Sequence, residues 1–79
     1  GQYLGMGRAL YNHHRVFADT VDACDEALRP LTGWSVREVL CGDPGAPALD
    51  RVDVVQPVLF TMMVSLAEVL GHYGVVADA

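Results

Sequence analysis

Few side chains in this 79-residue chain could do chemistry, and they form no complete catalytic set. Three histidines could titrate or bind a metal, but His13 and His14 are adjacent and would point about 100° apart on a helix. They cannot hold one ion together, so we interpret them and His72 as exposed or bend residues. No serine lies in a G-x-S-x-G turn, and no serine, histidine and aspartate are arranged as a recognisable triad.

Two further groups are weak candidates for a site. Asp22, Asp25 and Glu26 fall largely off the apolar face of a predicted helix, so we interpret them as a solvated face rather than a carboxylate site. The segment Gly5-Met6-Gly7 is too short for a phosphate-binding loop, and no strand precedes it.

Gln56 is the most informative polar residue. It is an uncharged amide in the first turn of a predicted apolar helix, where a polar group must find hydrogen-bond partners. Two interpretations stay open from the residues alone. Gln56 either has a capping or structural role, or it is a polar group at the edge of a substrate cavity.

The first half of the chain predicts helix. Apolar residues recur mostly at spacings of three, four or seven, which is one face of a helix. They are Met6, Leu10, Phe17, Val21, Cys24, Leu28 and Leu31. We expect an irregular start over residues 1–7, a bend at His13 and His14, and an end at Pro30, because proline disfavours helix in the residue before it.

A short helix is predicted next. Ser35 and Glu38 have the spacing of a capping box, with the serine at the N-cap position. The helix should end near Cys41, and residues 42–47 are rich in glycine and proline, which is typical of a loop.

The last predicted helix is apolar on every face. It should start near Asp53, which is spaced with Gln56 as a second capping box. Glu68 is the only formal charge in residues 58–73, and a helix that is apolar all round is normally buried on all sides. Gly74 is a plausible C-cap glycine.

These elements predict a mainly α chain of three to four helices. No convincing strand precedes Val75 and Val76, which could begin one. Because three short amphipathic segments can hardly enclose an apolar helix, we expect a larger body of protein around residues 1–79.

Composition excludes several function classes. The chain is 52% hydrophobic and 19% charged, which excludes a disordered tail. Its five basic residues are scattered arginines in a chain of net charge −5, so we predict no nucleic acid and no anionic membrane surface as a partner. Its longest uncharged run has 14 residues, and a bilayer needs about 20, so we predict no membrane span.

The cysteines and the first residues predict where in the cell the protein is located. Cys24 and Cys41 lie 17 residues apart without a CxxC motif, which predicts buried reduced thiols. The chain opens without a signal peptide pattern, and together these observations predict a cytoplasmic location.

Several segments resemble one known family. They are GQYLGMGR (residues 1–8), Val16-Phe17, Cys24-Asp25, Ala27-Leu28, Trp34-Ser35-Val36 and LDRVDVVQPVLFTMMVSLAEVL (residues 49–70). Together they resemble the start of the acyltransferase domain of a modular type I polyketide synthase, over essentially all 79 residues.

The resemblance implies a parent fold and a reaction. The fold is an α/β-hydrolase-like acyltransferase with a ferredoxin-like small subdomain, of which residues 1–79 would be the incomplete N-terminal helical part. The reaction is ping-pong transfer of an extender unit from coenzyme A, through a serine acyl-enzyme, to the phosphopantetheine thiol of an acyl carrier protein. The resemblance implies no directly bound cofactor and no metal.

The implied partners are other parts of a multifunctional synthase of the kind that makes antibiotics. They are the remainder of the acyltransferase domain, the acyl carrier protein, and the ketosynthase with its linker.

The family's site residues transfer only in part. The resemblance implies that the catalytic serine and histidine lie outside residues 1–79, so the segment alone should be inactive. Gln2 would be a neighbour of the oxyanion-hole motif, and Gln56 would lie near the active site. The pattern Arg51, Val52, Asp53, Val54, Val55, Gln56 is similar to that of methylmalonyl-selecting members, and we expect methylmalonyl in preference to malonyl. The alternative function is a stand-alone helical interaction or docking module.

Overall fold

The computed structural model describes residues 2–74, with side chains from residue 5 onward. It contains four helices: α1 (Gln2–His13), α2 (Arg15–Thr32), α3 (Val36–Cys41) and α4 (Val52–His72). No strand occurs in this described range, which confirms the mainly α class. The strand suggested for Val75 and Val76 lies outside it.

The first two helices are separated by one residue. His14 has extended backbone angles (φ −126°, ψ 111°), which confirms the predicted bend. The irregular start over residues 1–7 was wrong, because α1 already begins at Gln2. Gly7 permits close packing of α1 and does not form a turn. A Cβ placed on Gly7 would lie 2.8 Å from the Leu40 side chain of α3, so only glycine permits this approach.

The end of α2 also differs from the prediction. The helix continues through Pro30 to Thr32 and ends at Gly33, which has left-handed backbone angles (φ 81°). The Gly33 N–H donates to the Arg29 carbonyl at 2.8 Å. Proline costs a helix one N–H bond and crowds the carbonyl four residues back, but Pro30 lies in the last turn and did not end α2.

The short helix α3 follows its prediction closely. The Glu38 N–H donates to the Ser35 hydroxyl at 3.2 Å, which confirms the serine as N-cap. The helix ends at Cys41, whose carbonyl accepts a 2.7 Å bond from the Arg8 guanidinium. Gly7 and Arg8 of α1 therefore hold α3 by close packing and by capping its last turn.

The last helix begins one residue earlier than predicted. Arg51 is the N-cap residue of α4 and supplies no side-chain cap, so the capping box proposed for Asp53 and Gln56 was wrong. The Asp53 carboxylate pairs with Arg51 instead. After α4, Gly74 takes left-handed angles (φ 79°), as expected of a glycine that follows a helix end.

The core lies where α2 and α4 pack together and α3 covers one end. Its residues are Phe17, Val21, Val39, Leu40, Cys41, Val54, Val58 and Met62. The interpretation of α4 as buried on all sides does not hold within the described range, because one side of α4 is open. We call the residues of this side the α4 stripe. They are Val52, Gln56, Phe60, Met63, Ala67 and Leu70, all exposed.

By length and composition alone, α4 could also cross a membrane. It has 21 residues, and its most apolar window has a mean hydropathy of 1.7 with 28% of that window buried. A core helix passes the same test, and five residues of α4 are buried against the other helices. They are Val54, Val58, Thr61, Met62 and Ser65.

Candidate functional site

Gln56 lies on the open side of α4. Its exposed neighbours one turn away are Val52, which is 74% exposed, and Phe60, which is 57% exposed. On the other side of the same two turns, Val54 and Val58 are buried in the core at 0% and 2% exposure. These two valines fix the rotation of α4 about its axis, and the amide therefore points away from the described residues.

The first turn of α4, which leads into Gln56, is bonded to the N-cap residue. The N–H groups of Val54 and Val55 donate to the Arg51 carbonyl at 3.0 and 2.8 Å. Pro57 follows Gln56 directly, so it offers no N–H to the turn before it. Proline also disfavours helical backbone angles in the residue before it. Gln56 is helical although this local preference opposes it.

Arg51 and Asp53 form a two-bond ion pair across the start of α4. Nε and Nη2 of Arg51 donate to the two carboxylate oxygens of Asp53 at 3.1 and 2.5 Å. The bond from Arg51 lowers the pKa of the Asp53 carboxyl, and the same bond raises the pKa of the arginine. Both side chains are about 60% exposed, at 62% and 61%.

The residues of the proposed specificity pattern thus divide between two sides of α4. Arg51, Val52, Asp53 and Gln56 are exposed, whereas Val54 is buried and Val55 half-buried. Gln2, the other candidate binding residue, is the first residue of α1, and its side chain lies outside the described ones.

The fold brings His72 to the two adjacent histidines at the junction of α1 and α2. His13, His14 and His72 line one cleft of about 220 Å³ with Arg15 and Tyr73, where α1 ends and α4 ends. Among the described residues, no group of three histidine, cysteine or acidic side chains is arranged to hold a metal. His13 and His72 each lie in the last turn of a helix, where a basic side chain complements the helix dipole.

A cleft of about 590 Å³ between α1, α2 and α3 contains paired charges. The Tyr11 hydroxyl donates to Asp22 at 2.7 Å, and this bond raises the pKa of Tyr11 to about 12. The Arg37 guanidinium lies 5.8 Å from the centre of the Tyr11 ring. These contacts join the three helices at the surface.

One acidic residue in this cleft was interpreted wrongly. Asp25 is only 9% exposed and does not belong to a solvated face. One of its oxygens accepts a 3.0 Å bond from Arg29, and the other has no hydrogen-bond partner among the described atoms. Asp22 and Glu26 are exposed, as predicted.

Both cysteines are free thiols. Cys41 is buried, which confirms its prediction, and burial raises the pKa of its thiol. Cys24 is half-buried, so it is more accessible than expected.

Comparison with known proteins gives consistent matches over the whole chain. The family model of the acyl transferase domain matches residues 1–79. Erythronolide synthase EryA2 of Saccharopolyspora erythraea is 57% identical over 74 residues, which is 94% of this chain and 2% of that protein. The mycoketide-CoA synthase of Mycobacterium tuberculosis is 55% identical over 78 residues, which is 99% of this chain and 2% of that protein.

A solved structure also matches, that of a loading acyltransferase from the avermectin modular polyketide synthase. The two superpose with a TM-score of 0.87 at 51% sequence identity. The match covers 91% of this chain and 23% of that structure. The chain therefore spans a small part of each relative that it matches.

Proposed function

The chain belongs to the acyl transferase domain family, and from this we propose that it is the N-terminal helical part of a polyketide synthase acyltransferase. The complete domain would load an extender unit from coenzyme A onto an acyl carrier protein. In this proposal the parent fold is α/β-hydrolase-like, and the nucleophile and base come from residues outside these 79.

The chemistry of the proposed reaction has two balanced halves. A serine hydroxyl adds to the thioester carbonyl while a histidine takes its proton, the carbon–sulfur bond breaks, and coenzyme A leaves as the thiol. The phosphopantetheine thiol of the carrier protein then attacks the acyl-serine ester, and the serine regains its proton. The role we assign to this segment is to support the site and to place Gln56 beside it.

The α4 stripe is the observation that carries the proposal. It runs from Val52 to Leu70, about 27 Å along the helix at about 1.5 Å per residue. Phe60 and Met63 in its middle are 57% and 69% exposed. An apolar surface of this kind on a soluble protein normally has a partner, and we assign it to the remainder of the acyltransferase domain.

This assignment also gives Gln56 a function. Because Gln56 lies on the α4 stripe, it would stand where the helical segment meets the remainder that carries the nucleophile. The exposed amide, with its donor and its acceptor, is suited to hydrogen-bond the acyl group or the site around it. We therefore favour the substrate-edge interpretation of Gln56 over the capping one, because its amide is exposed and the N-cap residue of α4 is Arg51.

Substrate, partners and location are further parts of the proposal. The pattern from Arg51 to Gln56 supports methylmalonyl-CoA in preference to malonyl-CoA. Because the matched relatives include polyketide synthases far longer than this chain, we propose the ketosynthase, its linker and the acyl carrier protein as neighbours in one multifunctional cytoplasmic enzyme.

The test uses the complete acyltransferase domain that contains these residues. Incubation with radiolabelled methylmalonyl-CoA should label the domain and then the carrier protein, faster than malonyl-CoA does. Gln56→Ala should lower kcat/KM about tenfold, since one lost hydrogen bond contributes about 1–1.5 kcal/mol. Asn12→Ala, which removes an exposed amide from α1, should leave kcat/KM unchanged.

Two results would contradict the proposal. The first is a complete domain that transfers no acyl group from coenzyme A. The second is stable labelling of the 79-residue segment alone, because the proposal places the nucleophile elsewhere. If the isolated segment were a monodisperse species with a cooperative thermal transition, the stand-alone interaction module would be favoured.

A further inference from the structure

The first turn of α4 lacks the features that usually stabilise a helix start. Its N-cap residue, Arg51, has no side-chain oxygen to accept the free N–H groups of the turn. Pro57 removes the bond that would otherwise go to the Asp53 carbonyl, since a helical N–H bonds four residues back. The turn that leads into Gln56 therefore has no side-chain cap at its start and lacks one backbone hydrogen bond at its end.

The Arg51–Asp53 ion pair links the two ends of this start of the helix through side chains instead. Its two parallel bonds are the strong geometry for an arginine and a carboxylate, and they join the N-cap residue to the second residue of the helix. The carboxylate also lies in the first turn, where the helix dipole favours a negative charge. The pair thus stabilises the start of α4 as a cap would, although Arg51 makes no side-chain cap bond to a backbone N–H.

We propose that Arg51 and Asp53 are positioning residues for Gln56: their ion pair holds the first turn of α4 and so aims the Gln56 amide at the acyl group. The inference rests on the proposed function and explains why an arginine and an aspartate precede this glutamine. Neither residue needs to touch the substrate. Buried Val54 and Val58 hold the inner side of the turn, and the ion pair holds its outer side.

The first experiment breaks the pair in the complete acyltransferase domain. Asp53→Asn and Arg51→Gln should each lower kcat for methylmalonyl transfer about two- to fivefold, the effect of one exposed ion pair, with KM little changed. Amide hydrogen exchange should become faster in the peptide that carries Gln56 and stay unchanged in α2. Asp50→Asn is the matched control, because it removes the same charge next to Arg51 without breaking the pair.

The second experiment separates positioning from substrate contact. The double variant Arg51→Ser, Asp53→Asn replaces the ion pair by a serine at the N-cap, which secures the same turn with different chemistry. It should recover most of the lost kcat. In a Gln56→Ala background, Asp53→Asn should have no further effect, because its effect acts through that amide.

The outcomes distinguish this inference from the proposed function. A wild-type domain without transferase activity contradicts the proposed function. An active domain overturns the inference alone if the pair variants keep full kcat, if the serine variant fails to recover it, or if the losses from Asp53→Asn and Gln56→Ala multiply.

Discussion

Two glycines of α1 that stand two residues apart have opposite surroundings. A Cβ on Gly7 would lie 2.8 Å from the Leu40 side chain and 2.9 Å from its carbonyl oxygen, whereas nothing lies within 4 Å of one on Gly5. The same chemical change should therefore destabilise at one position and stabilise at the other.

Gly7→Ala should lower the free energy of unfolding of the domain by about 1–3 kcal/mol, the usual effect of overpacking. Gly5→Ala should raise it by about 0.5–1 kcal/mol, because alanine loses less backbone entropy in a helix. Urea unfolding of both variants measures the difference. Equal effects would show that α1 does not approach α3 as described.

Tyr11 makes a pH-dependent contribution. Its pKa is raised from 10.0 to about 12 by the bond to Asp22, so the protonated hydroxyl is favoured in the folded state. The stabilisation is complete below about pH 10 and disappears as the pH rises through about 12. A tyrosinate absorbance titration should show a late step that Tyr11→Phe removes and Tyr73→Phe leaves. A Tyr11 step near pH 10 would contradict the Asp22 bond.

At the scale of elements, the junction between α1 and α2 lacks a capping side chain. His14 is the N-cap of α2, has extended angles and makes no side-chain cap bond, and the first turn of α2 contains no acidic residue. A capping residue at this end of the 18-residue helix should therefore raise the stability of the fold.

His14→Asp should stabilise the domain by about 1 kcal/mol, because the carboxylate can accept from the first N–H groups of α2. His13→Asp is the opposite control. It places a negative charge in the last turn of α1 and should destabilise by about 0.3–1 kcal/mol through the helix dipole. Thermal unfolding of the two variants decides, and a shift of the same sign in both would exclude the capping account.

Predictions at this scale succeeded where the cause is local. Ser35 caps α3 as its spacing with Glu38 indicated, since both partners lie within four residues. Asp53 is an exception, since its failure as a cap also has a local cause: its carboxylate pairs with Arg51, two residues earlier. The start of α1 was missed because the packing of Gly7 depends on Leu40, which is 33 residues away.

The candidate site was predictable in position but not in environment. The sequence pattern placed Gln56 in the first turn of an apolar helix, and in the structure it follows that turn directly, as the fifth residue of α4. Its exposure on the α4 stripe could not be predicted, because the direction of a side chain depends on which face of α4 the core takes. The common cleft of His13, His14 and His72 depends on the same packing and had no signal in the sequence.

At the scale of the whole molecule, a change in the α4 stripe should affect the isolated segment and the complete domain differently. The double variant Phe60→Glu, Met63→Lys should reduce binding of an apolar dye by the isolated segment, because both side chains are exposed there. In the complete domain it should abolish soluble folding, since burying charges costs several kcal/mol each.

Leu31→Lys is the matched control for the stripe, because Leu31 is 81% exposed and lies on α2. It should leave the soluble yield of the complete domain unchanged. If the domain tolerated the stripe variant equally well, α4 would not be covered by the remainder.

The open side of α4 also bears on synthesis in the cell. If the helical segment precedes the remainder as proposed, the ribosome releases the α4 stripe before the protein that covers it has been made. At about 5–20 residues per second, the wait lasts on the order of tens of seconds. During that time the stripe would remain exposed, and a nascent synthase would be prone to aggregation at this point of its translation.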